Sequence, residues 1–342
     1  MAAFQTWLEH YSTDQITLLL GIFVGLLFGA LAQQSRFCLR AATVEFWRGQ
    51  IGVKFAIWLF TFATALILSQ LLMTRGYLEA SDIRQLTTTG SLSGAIVGGA
   101  LFGIGMVLAR GCASRLLVLS ATGNQRALIA GLIVTLVSQA SLRGGLSPAR
   151  QEISSWWTVS PAGRDLGQHL PEYSSIGAGL LMLVGAFYLA RKHQAKTWHW
   201  LAAIGVGFTI ALGWGLTSWH ASWSFDIVAI KSVSFTGPSA DTLMGLISSP
   251  NIPWSFDIGI VMGVFAGSFL AALVSGEFKM QAFTGLSRYI IGAVLMGFGG
   301  MVAGGCAVGA GVTGGAVLAL TAWVALLSMW VSAGLTDFIV DR

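Results

Sequence analysis

Three cysteines, Cys38, Cys112 and Cys306, are the residues of this 342-residue chain best suited to chemistry. Each lies where an apolar run breaks into glycine or polar residues: "SRFCLRAA", "ARGCASR" and "AGGCAVGAG". A thiol is a weak donor and weak acceptor, better matched to soft sulfur than to hard oxygen. The cysteines are odd in number, 74 and 194 residues apart, and form no CxxC, which argues against a disulfide framework or a structural zinc site. The five histidines are scattered without an HExxH pattern, so neither metal nor cofactor is expected. Any one of these cysteines, taken alone, reads as a small packing residue of an apolar helix. Three of them at polar or Gly-rich breaks favour a functional row of thiols.

Two of the three are related by an internal repeat. "GALFGIGMVLARGC" (99–112) aligns with "AVLMGFGGMVAGGC" (293–306), and with Gly98 opposite Gly292 seven of fifteen positions are identical, the rare cysteine included. A weaker pairing sets "SRFCL" (35–39) against "SVSFTG" (232–237), with Phe37 opposite Phe235 and Cys38 opposite Thr236. Around the Gly-Cys pairs, Gly111, Gly304 and Gly305 allow the backbone to bend and a ligand to approach it. Exposed N–H groups at a Gly-rich helix start favour an anion. Ser114, Thr122, Thr236 and Thr313 add hydroxyls, each of which could equally bond its own helix. Arg36, Arg110, Arg115 and Lys231 could draw an anion to the two mouths of a path, and interfacial snorkelling explains the same cations.

The elements that must position these residues are membrane helices. The chain is 55% hydrophobic and 10% charged, far from the roughly quarter-charged soluble average. Apolar runs long enough to cross about 30 Å of hydrocarbon occur at about 16–34, 53–73, 92–109, 126–142, 175–190, 200–218, 257–275, 289–304 and 315–335. The first carries Glu9 and Asp14 ahead of it and no Lys or Arg, which argues against a cleaved signal. With the N-terminus outside and the C-terminus inside, thirteen Lys and Arg fall on the cytoplasmic side and six on the other. The net charge of +5 is thereby a topology signal, and no nucleic-acid partner is implied.

The expected fold is an all-α integral membrane protein of about nine transmembrane helices, with short re-entrant half-helices and an inverted pseudo-two-fold repeat. Residues 1–142 form the first repeat, 143–199 a connecting loop and linking span, and 200–342 the second, inverted repeat. An odd number of crossings separates the two Gly-Cys motifs, so Cys38 and Cys112 approach from the cytoplasmic side and Cys306 from the other. Such repeats are built around a midplane substrate site. Residues 143–174 read as an external loop, with Trp156 and Trp157 at the membrane surface.

The stretches "QQSRFCLRAA", "GGALFGIGMVLARGCASR", "SFTGPSADTL", "VFAGSFLAALVSGEFK" and "LMGFGGMVAGGCAVGAGVTGG" resemble the YeeE/YedE family of bacterial inner-membrane proteins, which includes thiosulfate transporters. With their spans they cover most of the chain except 143–174. The resemblance implies a non-enzymatic importer in which Cys306 at the outer side, then Cys112 and Cys38, line an hourglass-shaped path and pass thiosulfate by S–H to sulfur contacts. It also implies a cytoplasmic sulfur-carrier protein as partner, besides the sulfur anion and membrane lipid. Arg110 departs from the glycine that precedes the Gly-Cys pair in many thiosulfate members, as Gly304 does here, which puts the preferred anion in question.

Moving a dianion inward against 100 mV costs roughly 4–5 kcal/mol. No carboxylate is read inside a span as a proton relay; Glu45, Asp226, Asp257 and Glu277 fall at flanks or loops, which favours trapping of the substrate by the carrier. The alternatives are transport of another sulfur or selenium species, a membrane sulfurtransferase in which Arg110 and Arg115 activate Cys112 toward a persulfide, and a non-transporting subunit with a purely structural Gly-rich core.

Overall fold

The computed structural model describes residues 12–171, 173–248, 254–280 and 286–341, the side chain of residue 286 excepted. The described chain is helical, with two-residue strands at Gly90–Ser91 and Thr158–Val159. Its helices open with α1 (Thr13–Ser35), α2 (Leu39–Trp47), α3 (Val53–Thr74), α4 (Leu92–Leu108), α5 (Ala113–Ala121), α6 (Gln125–Arg143) and α7 (Ser147–Ser155). They continue with α8 (Ser174–Lys192), α9 (Thr197–Trp223), α10 (Thr236–Ser248), α11 (Phe256–Val274), α12 (Leu286–Val302), α13 (Ala307–Ala316) and α14 (Leu320–Val340).

Among the described residues, eight helical segments are long and apolar enough to cross a membrane, and α12 with α13, bent by 41° at a short break, makes nine if the pair is one broken span. This is a multi-pass membrane protein. Four of the long helices start with polar caps that satisfy first-turn N–H groups. Ser12 and Gln15 form a capping box on α1, and Ser91, Asn124 and Ser255 cap α4, α6 and α11. The last span runs later than the apolar pattern suggests, over Leu320–Val340. Gly314–Ala316 belongs to α13, and the chain reverses at Leu318, whose φ is 60°.

With lipid on the outside, helices are drawn together by close packing of small residues rather than by exclusion of water. Gly21, Gly25 and Gly29 of α1 run parallel to Gly259, Gly263 and Gly267 of α11. A Cβ on Gly25 would lie 2.6 Å from the Ile260 carbonyl oxygen and 3.0 Å from Gly263 Cα. α4 and α12 run antiparallel: a Cβ on Gly98 would lie 2.6 Å from the Gly299 oxygen, and one on Gly105 2.5 Å from the Gly292 oxygen. α3 packs on α9, α4 on α14 and α6 on α12. α8 touches mainly α3 and exposes Leu181 and Val184.

One end of the bundle is tied by ion pairs. Arg48 donates from Nε and Nη2 to the two carboxylate oxygens of Asp337, each at 2.8 Å, and Asp341 takes Arg288 at 2.8 Å and Arg40 at 3.6 Å. Asp337, buried in the last turns of α14, is a carboxylate that the sequence reading passed over. At the other end residues 143–171 are folded onto the bundle instead of hanging from it. Thr158–Val159 pairs with Gly90–Ser91, Asp165 pairs with Ala319, and Arg164 donates to Thr321 Oγ1 at 2.9 Å and to the Thr88 oxygen at 3.0 Å. Trp156 and Trp157 are exposed.

Candidate functional site

All three cysteines stand at the same kind of position, the N-cap of a helix too short to cross a membrane. Cys38 precedes α2, Cys112 precedes α5 and Cys306 precedes α13, each with extended backbone. The first-turn N–H groups of a helix have no partner within it and carry the positive end of its dipole. Cys306 Sγ accepts the Gly309 N–H at 3.3 Å, and Cys112 Sγ lies 3.3 Å from Ser114 Oγ.

The turn leading into each cap passes through positive φ: at Arg36 (φ 56°) and Arg110 (φ 55°) before the first two cysteines, and at Gly304 (φ 82°) followed by Gly305 (φ 157°) before the third. Glycine adopts this conformation freely, whereas an arginine there costs about 1–2 kcal/mol. Arg110 and Gly304 are the aligned positions of the repeat, so the two copies share a backbone bend while differing in charge. The neighbouring Gly305 donates to the Gly300 oxygen at 2.7 Å, closing α12 beneath Cys306.

Cys38 and Cys112 stand close enough for their side chains to interact, and both thiols are free. Cys38 forms part of the wall of an open cavity of about 1080 Å³ together with Arg36, Arg40, Arg110, Arg115 and Lys192, and Glu45 is the one carboxylate among the described lining residues. The cavity is therefore cationic and suits an anion. Arg36 Nη2 donates to Glu277 Oε1 at 3.0 Å, Gln33 Nε2 donates to Glu277 Oε2 at 2.7 Å, and Gln33 Oε1 accepts from Arg115 Nη1 at 3.5 Å. Gln33 thus joins Arg115 to Glu277, and Arg115 forms part of the cavity wall.

Cys306 is fully buried at the opposite end of the antiparallel α4/α12 pair, and α13 touches α5 within the bundle. The strand-like segment before α10 crosses α13. Thr313 Oγ1 donates to the Val233 oxygen at 2.7 Å, and the Ser234 side chain covers Gly309. Gln85 Nε2 reaches the Gly309 oxygen at 3.5 Å from the loop side.

Of the residues singled out in the sequence, Cys38, Cys112, Gly111 and Arg110 thus gather at one end, and Cys306, Gly304, Gly305 and Thr236 at the other. Lys231 is separate in role: its ammonium pairs with Asp257, and its backbone exchanges hydrogen bonds with Thr217 Oγ1. Gln33, Gln85 and Ser234 carry no signal of their own in the sequence, and Glu277 and Lys192 read there only as flanking charges. They share no spacing with the cysteines, and only the packing brings them near.

The sequence profile for sulphur transport matches residues 34–335. The thiosulfate transporter TsuA of Spirochaeta thermophila is 29% identical over 336 residues, covering 92% of this chain and 97% of the relative. The thiosulfate transporter TsuA of Escherichia coli is 25% identical over 351 residues, covering 91% of each. Eight or nine segments able to cross a membrane, free thiols at half-helix starts and a match over most of the length converge, and the chain belongs to the sulphur transport (YeeE/YedE) family of membrane transporters.

Proposed function

We propose that this protein imports thiosulfate or a closely related small sulfur anion across the bacterial inner membrane, along a path on which Cys306, Cys112 and Cys38 meet the substrate's terminal sulfur. The observation that carries the reading is the shared placement of the three free thiols at half-helix starts. There a soft S–H group stands beside the first-turn N–H groups at the positive end of a short helix. Both relatives bear the name thiosulfate transporter, which supports the same substrate.

The N-terminus lies outside and the C-terminus inside, which places the cationic cavity at the cytoplasmic mouth. An anion that has passed Cys306 is then drawn toward Arg110 and Arg115 and released past Arg36 and Lys192. A cytoplasmic sulfur-carrier protein that consumes the anion there supplies the driving force.

The packing supports an inverted repeat, residues 1–142 against 200–342 with 143–199 between them. α1 on α11 has its counterpart in α9 on α3, and α4 on α14 in α12 on α6, while α4 on α12 is its own counterpart. Reciprocal contacts of this kind are what a two-fold relation requires. Gly98 facing Gly299 and Gly105 facing Gly292 obey it residue by residue.

The test is uptake of sulfur-labelled thiosulfate by cells lacking other sulfur importers. Cys306→Ala and Cys112→Ala should each abolish uptake while the folded protein stays in the membrane. Normal uptake by both variants would refute the thiol path. No uptake by well-expressed unaltered protein would move the substrate to hydrosulfide, persulfide or selenium species.

A further inference from the structure

We propose that Thr236, which holds the position in the second half that Cys38 holds in the first, donates its hydroxyl to the oxygen end of the anion and so sets the preference for sulfur oxyanions over sulfur species without oxygen. This rests on the transport reading above and assigns a specificity role within it.

Four short helices, α2, α5, α10 and α13, begin inside the bundle. Three begin after a cysteine; α10 begins at Thr236. The register that sets Phe37 opposite Phe235 sets Cys38 opposite Thr236, and both phenylalanines are buried. In the first half, Cys38 and Cys112 lie near each other. The corresponding pair is Thr236 and Cys306, and here the two side chains do not satisfy each other. Cys306 Sγ is engaged by the Gly309 N–H, whereas Thr236 Oγ1 has no hydrogen-bond partner among the described residues although Thr236 is only 1% exposed.

An unpaired buried hydroxyl is costly and uncommon. Most hydroxyls within these helices bond back to a carbonyl one turn earlier, as Thr61 does to Ile57, Thr135 to Gly131 and Thr217 to Gly213. Thr236 opens its helix and has no helical carbonyl behind it. The β-branched side chain is also held in place, since its methyl faces Gly300, where an added Cβ would lie 3.1 Å from Thr236 Cγ2. Beside it, a Cβ on Gly237 would meet nothing within 4 Å. A free, fixed O–H therefore lies buried in the half of the bundle that holds Cys306.

Hydroxyl and thiol divide the ligand between them. The O–H is a hard donor suited to a charged oxygen, and the thiol suits the terminal sulfur. An ion such as thiosulfate carries both ends; hydrosulfide carries only the second.

The experiment uses the full-length protein in liposomes and measures labelled thiosulfate uptake, with unlabelled hydrosulfide as competitor. Thr236→Val removes only the donor and should raise the thiosulfate KM about tenfold or more with little change in hydrosulfide competition. Thr236→Ser, which restores the donor, should return KM to within about threefold of the unaltered chain. A Thr236→Val KM within about twofold of the unaltered chain, with uptake still dependent on Cys306, overturns the role of Thr236 and leaves the transport reading standing. Parallel loss of hydrosulfide competition in the valine variant, or failure of serine to restore KM, also overturns it by marking a structural defect. No uptake by the unaltered chain overturns both.

Discussion

At the scale of single residues, Arg110 separates the two halves of the site. Its backbone does what Gly304 does in the second copy, turning the chain through the left-handed region into a cysteine cap, yet its side chain adds a cation to the wall of the cavity. Arg110→Gly should remove a backbone strain of about 1–2 kcal/mol, offset by the roughly 0.5–1 kcal/mol that glycine's extra unfolded-state freedom costs. The net expectation is a gain of about 0.5–1 kcal/mol, read by thermal unfolding of the purified protein. The same variant should raise the KM for thiosulfate severalfold, an effect that shrinks in high salt because the lost interaction is electrostatic. Unchanged KM would assign Arg110 to interfacial anchoring alone. The sequence showed the charge difference between the copies; the shared left-handed bend appeared only in the backbone.

At the scale of elements, the glycines divide into those that permit helix contact and those that do not touch anything. Gly25→Ala and Gly98→Ala each place a Cβ within 2.6 Å of a backbone oxygen across the interface, on α11 and α12 respectively. Neither backbone can yield without moving its helix, so each should destabilise the protein by about 1–3 kcal/mol or more. Gly131, in the interior of α6, has nothing within 4 Å of its would-be Cβ. Gly131→Ala should therefore stabilise by about 0.5–1 kcal/mol through helix propensity alone. Thermal unfolding of the three variants in one detergent checks the contrast. Every one of these positions looks alike in sequence, a glycine within an apolar run, because lipid-facing and helix-facing sides carry the same apolar residues.

At the scale of the whole molecule, the Asp341 clamp joins the C-terminal end of α14 to Arg288 of α12 and Arg40 of α2. The hydrogen bond from Arg288, aided by the charge of Arg40, holds the Asp341 carboxyl below the usual carboxylate range. A depressed carboxyl contributes its stability above its unfolded pKa, about 3.9, and loses it as pH falls through the folded value. The contribution should thus be complete at neutral pH and disappear below about pH 4. Asp341→Asn should unfold more readily at pH 7, by about 1 kcal/mol or less given partial exposure, and converge with the unaltered chain in acid. Unfolding temperatures measured from pH 7 downward decide this. The proposed topology has its own check: a reporter fused at the C-terminus should be protected in intact cells, and one at the N-terminus accessible.

The sequence by itself determined the membrane class, eight or nine apolar spans and the repeated Gly-Cys pair. A span must be an apolar run of about 20 residues, and a cysteine is rare enough for its register to carry information. Family membership was legible for the same reason, since the motifs keep their identity through most of the length. Tertiary structure decided that each cysteine precedes a half-helix, that Cys38 lies near Cys112, that Gln33 and Glu277 connect two arginines of the cavity, and that residues 143–171 fold back onto the bundle. It also moved the last span to Leu320–Val340 and paired Lys231 with Asp257. These features depend on contacts between residues far apart in the chain. Periodicity and composition report what an element does along its own axis, and say nothing of which neighbour its polar groups will find.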